Sequence, residues 1–452
     1  MVKHEEQRQS WSNRLTYIMT VAGATVGFGA TWRFPYLVGE NGGGAYVLLF
    51  CIAMIIIGIP MILVENVIGR RMRVNSIDAF SGTANNKKIA SGWKILGYMG
   101  LLGSFGIMAY YTVLGGWVLT FIGHLISGSM NLSSPVDAAY TSQFFSENIK
   151  NAPIAILTGS LIFIAINYFI LAKGIMDGLE RAVQYLMPIL FVFLIIMVVR
   201  NVTLPGAMEG IKFYLIPDFS KINGKLFVFV LGQVFFALSL GFGVLITLSS
   251  YLSKKENLVQ TATITGVINT LIAVAAGFMI FPSLFSFGVE PNSGPTLVFQ
   301  SLPIVFSHMW QGTIFAIIFF SLLIVAALTT SLTIYEVLIT ALQEKTRLTR
   351  KQAIILVLSV TFFFGNVPSA LGDNVWSSVH IMGMSIFDAF DYISGNILFI
   401  LTALGSAIFV GYVLKDEAKE ELGAGPVFTK IWFNYVRFVI PVIILVIFFN
   451  SI

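Results

Sequence analysis

Charge is the scarcest property of this chain. Only 11% of its 452 residues are charged, against 56% hydrophobic, and the mean hydropathy is +0.85. A water-soluble fold of this length needs far more charge, so a soluble globular class is excluded. Cysteine is nearly missing too. Cys51 stands alone, which removes disulfides and thiolate metal sites. The four histidines form no metal constellation, since His4 is in a polar tail and His124, His308 and His380 lie near the ends of apolar runs. No His-Glu-x-x-His helix, P-loop or Ser-His-Asp arrangement is present. The glycine-rich GATVGFG at 23–29 lies inside an apolar run rather than after a soluble strand, so an enzyme or an ATP-driven pump is not expected. The opening MVKHEEQRQSW has neither a short apolar core nor a small-residue cleavage site, and no cleavable signal is expected. Finally, the connections at 287–310 and 373–381 contain no Lys or Arg.

What the chain does have is long apolar runs. They exceed 18 residues without alternating, which predicts membrane helices rather than a β-barrel. Eleven spans are expected: 14–37, 43–70, 92–125, 152–172, 176–200, 225–253, 259–286, 311–342, 352–372, 382–413 and 430–451. The excess of basic residues flanks these runs, so membrane topology explains it better than nucleic acid does. Basic residues gather on one side of the spans, from Lys3, Arg8 and Arg14 through Lys254 and Lys255 to Lys415, Lys419 and Lys430. Cytoplasmic connections are enriched in Lys and Arg. The N-terminus is therefore expected in the cytoplasm, and the odd count puts the C-terminus outside.

Two spans are interrupted. Span 1 carries Gly23, Gly27 and Gly29 in its middle and ends at Arg33 and Pro35, and span 6 holds GQVFFALSLGFG at 232–243. Glycine weakens a helix by about 1 kcal/mol relative to alanine. Irregular backbone at membrane depth is tolerated where it lines a cavity, although small residues also serve plain helix packing. Spans 1 and 6 open two halves of five spans each. Because five is odd, the halves have opposite orientation, the arrangement of inverted-repeat transporters whose broken helices meet near the midplane. The corresponding boundaries are a cytoplasmic segment 1–13, a first repeat 14–200, an outer connection 201–224, a second repeat 225–413, an inner connection 414–429 and a last helix 430–452.

Here a resemblance becomes specific. WRFPYLVGENGGGA at 32–45, GQVFFALSLGFG at 232–243 and AALTTS at 326–331 resemble the neurotransmitter:sodium symporter family. The likeness runs from Trp11 to the last span. It includes KGIMDGLERAVQYLMP at 173–188, whose Gly178 and Pro188 keep the family's Gly-x9-Pro spacing. The chain is most similar to the bacterial amino-acid branch. The resemblance implies an all-α polytopic fold of the leucine-transporter type, 5+5 inverted repeats with helices 1 and 6 unwound at mid-membrane, in the plasma membrane.

It also implies the sites. The family's second sodium site maps onto the carbonyls of Gly23, Val26 and Ala326 and the hydroxyls of Thr329 and Thr330, and every position is matched. Read without the family, the two threonines would simply bond back to their own helix. The first sodium site is degenerate: Ala30, Ala237 and Asn269 stand where the family asks for Asn, Thr or Ser, and Asn. One coupled sodium is expected. Ala273 at the chloride or acidic position of span 7 implies no chloride dependence. The substrate site maps onto Thr25, Gly27, Ile107, Tyr111, Phe236, Ala237, Ser239, Phe242, Thr330 and Ile334. Tyr111 would bind a carboxylate. Gly27 replaces the Asp of monoamine carriers, so a zwitterionic amino acid with an aliphatic or aromatic side chain is expected. Arg33 and Asp391, with Phe236 as lid, match an extracellular gate, and Arg8, Trp11, Tyr251 and Glu344 match a cytoplasmic one. Glu65, Gln233 and Glu336 are expected to satisfy the unwound backbone. The partners are then a small amino acid and the bilayer, with no nucleic acid, in a monomer or homodimer. Proton-coupled or sodium-independent transport, and a non-transporting amino-acid receptor, remain open alternatives.

Overall fold

In the computed structural model, residues 11–290 and 297–451 are described. Among them, nine helices are long and apolar enough to cross a membrane. They are taken here with the shorter pieces in chain order. The first is split into α1 (Arg14–Thr25) and α2 (Phe34–Glu40). Then come α3 (Gly44–Met72), α4 (Ser91–Ser127), α5 (Pro153–Leu171) and α6 (Ile175–Val202). A second split pair follows, α7 (Gly224–Ala237) and α8 (Val244–Ser249). The last five are α9 (Leu258–Ser286), α10 (Gly312–Lys345), α11 (Arg350–Leu371), α12 (Ile386–Leu414) and α13 (Pro426–Asn450). Short helices Ala138–Phe145, Ala207–Leu215, Leu297–Ser307 and Asp416–Leu422 sit in the connections. A two-residue hairpin, Thr83–Ala84 against Lys87–Lys88, closes the α3–α4 link.

Local sequence explains the helix starts. Asn13, Asn223 and Asn257 accept the N–H groups of Thr16, Leu226 and Gln260, capping α1, α7 and α9. Thr349 and Gln352 open α11 as a reciprocal capping box. Such caps place each start within a few residues of where the apolar run begins. The last helix starts earlier than expected, at Pro426 rather than residue 430, because proline fits the first helical turn.

Burial divides the helices into two classes. Most of α4 and α10 is buried, whereas α5, α6 and α13 direct most of their residues outward. Exposed Leu102, Phe169, Val192 and Phe449 belong to that apolar outer surface, which only a hydrocarbon solvent would tolerate. At the centre, α10 packs along α4 and also against α1 and α6. Gly23 permits this approach, since a Cβ there would stand 3.0 Å from the Thr329 Cβ.

Candidate functional site

The two split pairs hold the site. α1 stops at Thr25 and helical structure resumes at Gly29 in a wide turn, Gly29–Arg33, that leads into α2. α7 stops at Ala237 and α8 begins at Val244. Within the second gap, Ser239 (φ 52), Gly241 (φ 82) and Gly243 (φ 76) take left-handed backbone, which no helix can continue through. Each gap is held by a polar side chain from elsewhere. Gln233 of α7 donates to the Gly29 carbonyl at 2.8 Å, and Glu65 of α3 accepts from the Gly241 N–H at 2.7 Å. Both side chains are buried. The Gly29 carbonyl also accepts the Phe34 N–H, so Gln233 adds a second partner there, whereas Glu65 spares the Gly241 N–H the cost of a buried group without a partner, about 1–3 kcal/mol.

Between the gaps lies a small enclosed cavity of about 20 Å³, lined by residues that include Thr25, Gly27, Ile107, Tyr111, Phe236, Ser239, Phe242, Thr330 and Ile334. That is room for about one water molecule. Nine of the ten positions mapped for substrate thus share one cavity. Ala237 is not among the lining residues. Gly27 is glycine because space demands it: a Cβ would fall 2.2 Å from Tyr111 Oη and 2.4 Å from Thr330 Oγ1. Tyr111 Oη accepts the Phe28 N–H at 3.1 Å, so the first backbone donor beyond the α1 break already points at that hydroxyl.

Oxygen atoms collect on the α10 side of α1. Thr330 Oγ1 donates to the Gly23 carbonyl at 3.0 Å, and Thr329 Oγ1 donates to the Ala326 carbonyl at 2.9 Å. Val26 and Ala326 are fully buried alongside. The side facing α9 is different. Asn269 Nδ2 donates to the Thr25 carbonyl at 3.0 Å and to the Ala237 carbonyl at 3.1 Å. Ala30, fully buried nearby, adds only a methyl group.

End to end, the sequence falls in one group. Residues 8–155 and 146–452 match the profile of the Sodium:neurotransmitter symporter family. The chain belongs to this family. An uncharacterized sodium-dependent transporter of Haemophilus influenzae is 70% identical over all of both chains. The uncharacterized sodium-dependent transporter YhdH of Bacillus subtilis is 36% identical, covering 99% of this chain and 98% of its own. The crystal structure of MhsT in complex with L-phenylalanine superimposes with a TM-score of 0.88 at 36% identity, over 98% of this chain and all of the other. The symporter family fold therefore accounts for the whole helical arrangement.

The described residues mapped to the two gates each have definite partners in this symporter-family chain. Arg33 and Asp391 are not joined: no ion pair shorter than 4.0 Å links them. Asp391 accepts from Tyr110 Oη at 2.6 Å, while the Arg33 guanidinium lies 4.2 Å from the centre of the Phe236 ring. The Arg33 Nε is buried with no hydrogen-bond partner among the described residues. Tyr110 was legible only as the neighbour of Tyr111, because hydropathy does not tell which face of α4 meets α12. On the opposite side Trp11 donates its ring N–H to the Leu248 carbonyl at 3.0 Å, and its ring centre is 6.2 Å from that of Tyr251. Both residues are buried. Glu344 accepts the backbone N–H and side-chain amide of Asn75 at 2.9 and 2.8 Å. Arg8, mapped to the same gate, lies outside the described residues. Glu336 is a correction. It supports no gap; it receives Arg350 in a two-pronged pair at 3.0 and 2.6 Å and Thr340 at 2.9 Å. Its position two turns beyond Thr329 puts it level with the start of α11 rather than with the gaps.

Proposed function

We propose that this protein is a secondary active symporter that moves one zwitterionic amino acid with one sodium ion by alternating access. Counting each split pair as one crossing gives eleven spans, with the N-terminus cytoplasmic and the C-terminus outside. One observation carries the reading: two broken helices face one cavity, and an oxygen cluster from α1 and α10 adjoins it. The carbonyls of Gly23, Val26 and Ala326 and the hydroxyls of Thr329 and Thr330 offer hard oxygen ligands of the kind an alkali cation prefers. Tyr111 Oη and the Phe28 N–H suit a carboxylate, as the exposed N–H groups at a helix start do in general. The carbonyls of Thr25, Phe236 and Ala237 and the Ser239 hydroxyl suit an amino group. Ile107, Phe242 and Ile334 leave an apolar space for the side chain. The phenylalanine bound to MhsT supports an aromatic or aliphatic substrate.

Transport follows from what each group binds. Sodium holds α1 against α10 while the cavity is open to the outside. Substrate then draws Arg33, Phe236 and Asp391 over itself. The cavity must widen to admit an amino acid. Release inward would follow loosening of the turn at Ile175–Glu180, where Gly178 lies so close to α5 that a Cβ would meet the Ile170 carbonyl at 2.2 Å. One cation crossing about 100 mV contributes roughly 2.3 kcal/mol, and a tenfold gradient about 1.4 kcal/mol. Together they support accumulation of a neutral substrate by a few hundredfold.

A proton-coupled reading has one observation in its favour. Glu65 is fully buried, and its Oε2 has no hydrogen-bond partner among the described residues, so that carboxyl is a place to hold a proton. The two readings separate in a thermal-shift screen of amino acids, run with sodium and with choline across pH. Ligands that bind the native state raise its stability. The symport reading expects an apolar amino acid to stabilise the protein only with sodium. Equal stabilisation in choline would contradict it.

A further inference from the structure

On the outer surface, α4 and α11 diverge. They are pinned together at one level, where Asn366 Nδ2 donates to the carbonyls of Met108 and Ala109 at 2.8 Å each. Gly365 allows that closeness, since its Cβ would lie 2.7 Å from the Ala109 Cβ. Toward the α10 C-terminus the two helices splay apart and leave a groove of about 610 Å³ floored by α10. Tyr98, Leu102 and Phe105 form one wall, Leu356 and Val360 the other, and Ala341 the floor. The walls are apolar, and Tyr98, Leu102 and Leu356 are exposed. From Leu338 to Lys345 the floor runs seven residues, about 10 Å at 1.5 Å per residue. One leaflet of a hydrocarbon core about 30 Å thick is only slightly deeper.

The end of the groove is basic. Lys345 lines it, and its Nζ shares Asp78 Oδ1 with Lys94 Nζ, at 2.6 and 2.8 Å. Burial works against ionisation of Asp78, but hydrogen bonds from Lys345, Lys94 and Asn75 outweigh it and hold the carboxyl down to about 2. Two ammonium groups therefore face one carboxylate, with further N–H donors left over. The other nearby acid, Glu344, is taken up by Asn75. The connection 345–351 adds exposed Arg347 and Lys351 and no acidic residue. An apolar concavity at membrane depth cannot be filled by water without loss, and a cationic rim attracts anionic headgroups, by about 1 kcal/mol per basic residue near the surface.

We infer that this groove is a binding site for one anionic phospholipid, its acyl chain between α4 and α11 and its phosphate at Lys345 and Lys94. The site stands apart from the substrate cavity and does not depend on what the protein carries. It does adjoin one mapped gate residue, because Asn75 bonds both Asp78 and Glu344. A phosphate competing for Lys345 would loosen that node.

The test uses the full chain in nanodiscs of equimolar phosphatidylglycerol and phosphatidylcholine, released for native mass spectrometry to count retained lipid. Wild-type protein should retain phosphatidylglycerol in preference to phosphatidylcholine. The Lys94→Gln, Lys345→Gln pair removes two basic residues and should lower phosphatidylglycerol retention about thirtyfold, with phosphatidylcholine unchanged. Ala341→Trp, which fills the floor while leaving the lysines and Asp78 in place, should lower retention of both lipids. Melting curves check that each variant is folded. Equal retention of the two lipids by wild type, or no loss in Ala341→Trp, would overturn the proposal. So would inter-chain cross-linking through Leu356→Cys in a Cys51→Ser background, which would make a second copy of the chain the occupant.

Discussion

α1 presents backbone oxygen on two sides, and the chain answers the two sides differently. Toward α10 the Gly23 carbonyl meets a hydroxyl, Thr330 Oγ1. Toward α9 the Thr25 carbonyl meets an amide nitrogen, Asn269 Nδ2. A hydroxyl is both a donor and an acceptor and can turn its lone pairs toward a cation, whereas an NH₂ group has only hydrogens to offer. The α10 side can therefore exchange a hydrogen bond for an ion. On the α9 side Ala30 and Ala237 bring no side-chain oxygen, and Asn269, whose Nδ2 bonds the Thr25 and Ala237 carbonyls, is left with a single buried Oδ1 that has no hydrogen-bond partner among the described residues. The contrast is the physical basis for expecting one cation rather than two. It turns on the side chains facing α1, not on α1 itself.

The comparison can be broken hardest on the α10 side. Thr329→Ala with Thr330→Ala removes both hydroxyl ligands and should weaken sodium binding by on the order of a hundredfold or more. Sodium-dependent uptake should vanish while the melting profile stays cooperative; unaltered uptake would refute the assignment. Next in size is Ala30→Asn with Ala237→Thr, which restores oxygen on the α9 side. Sodium activation of uptake should change from hyperbolic to sigmoidal. If the curve keeps its shape, missing oxygen is not what limits that side. Asn269→Ala should cost about 1–3 kcal/mol of stability through two carbonyls losing their donor, read as a lower melting temperature, with sodium activation still hyperbolic. The smallest effect is none. Replacing chloride by gluconate should leave uptake unchanged, because Ala273 provides no polar atom at the position mapped for that ion.

How much of this could be read before the fold was in hand follows a physical line. Span 5, expected at 176–200, is Ile175–Val202, and span 10, expected at 382–413, is Ile386–Leu414. Hydropathy is a local property, and the bilayer imposes it on each span separately. The gaps were legible for the same reason. Glycine clusters mark the places where the helices stop, at Thr25 and Ala237, although the glycines of α4 leave that helix unbroken. Residues defined by what lies across a helix interface were harder. Arg33 and Asp391 sit near one another in family terms, yet their partners are Phe236 and Tyr110. Arg350 reads in sequence as one more basic residue at a helix end, and only the packing of α10 against α11 reveals it as the partner of Glu336. Asn269 was legible as a remnant of a cation site, but the direction of its amide depends on two carbonyls from separate segments. The groove between α4 and α11 has no sequence signature, because its walls are ordinary lipid-facing residues.

The number of ions moved per substrate tests the central contrast most directly. In proteoliposomes holding fixed sodium and substrate gradients, the membrane voltage at which net flux reverses gives the sodium-to-substrate ratio. One sodium ion per amino acid is the predicted result. A ratio of two would mean that the α9 side binds a cation despite Ala30 and the Asn269 amide, and would contradict the account.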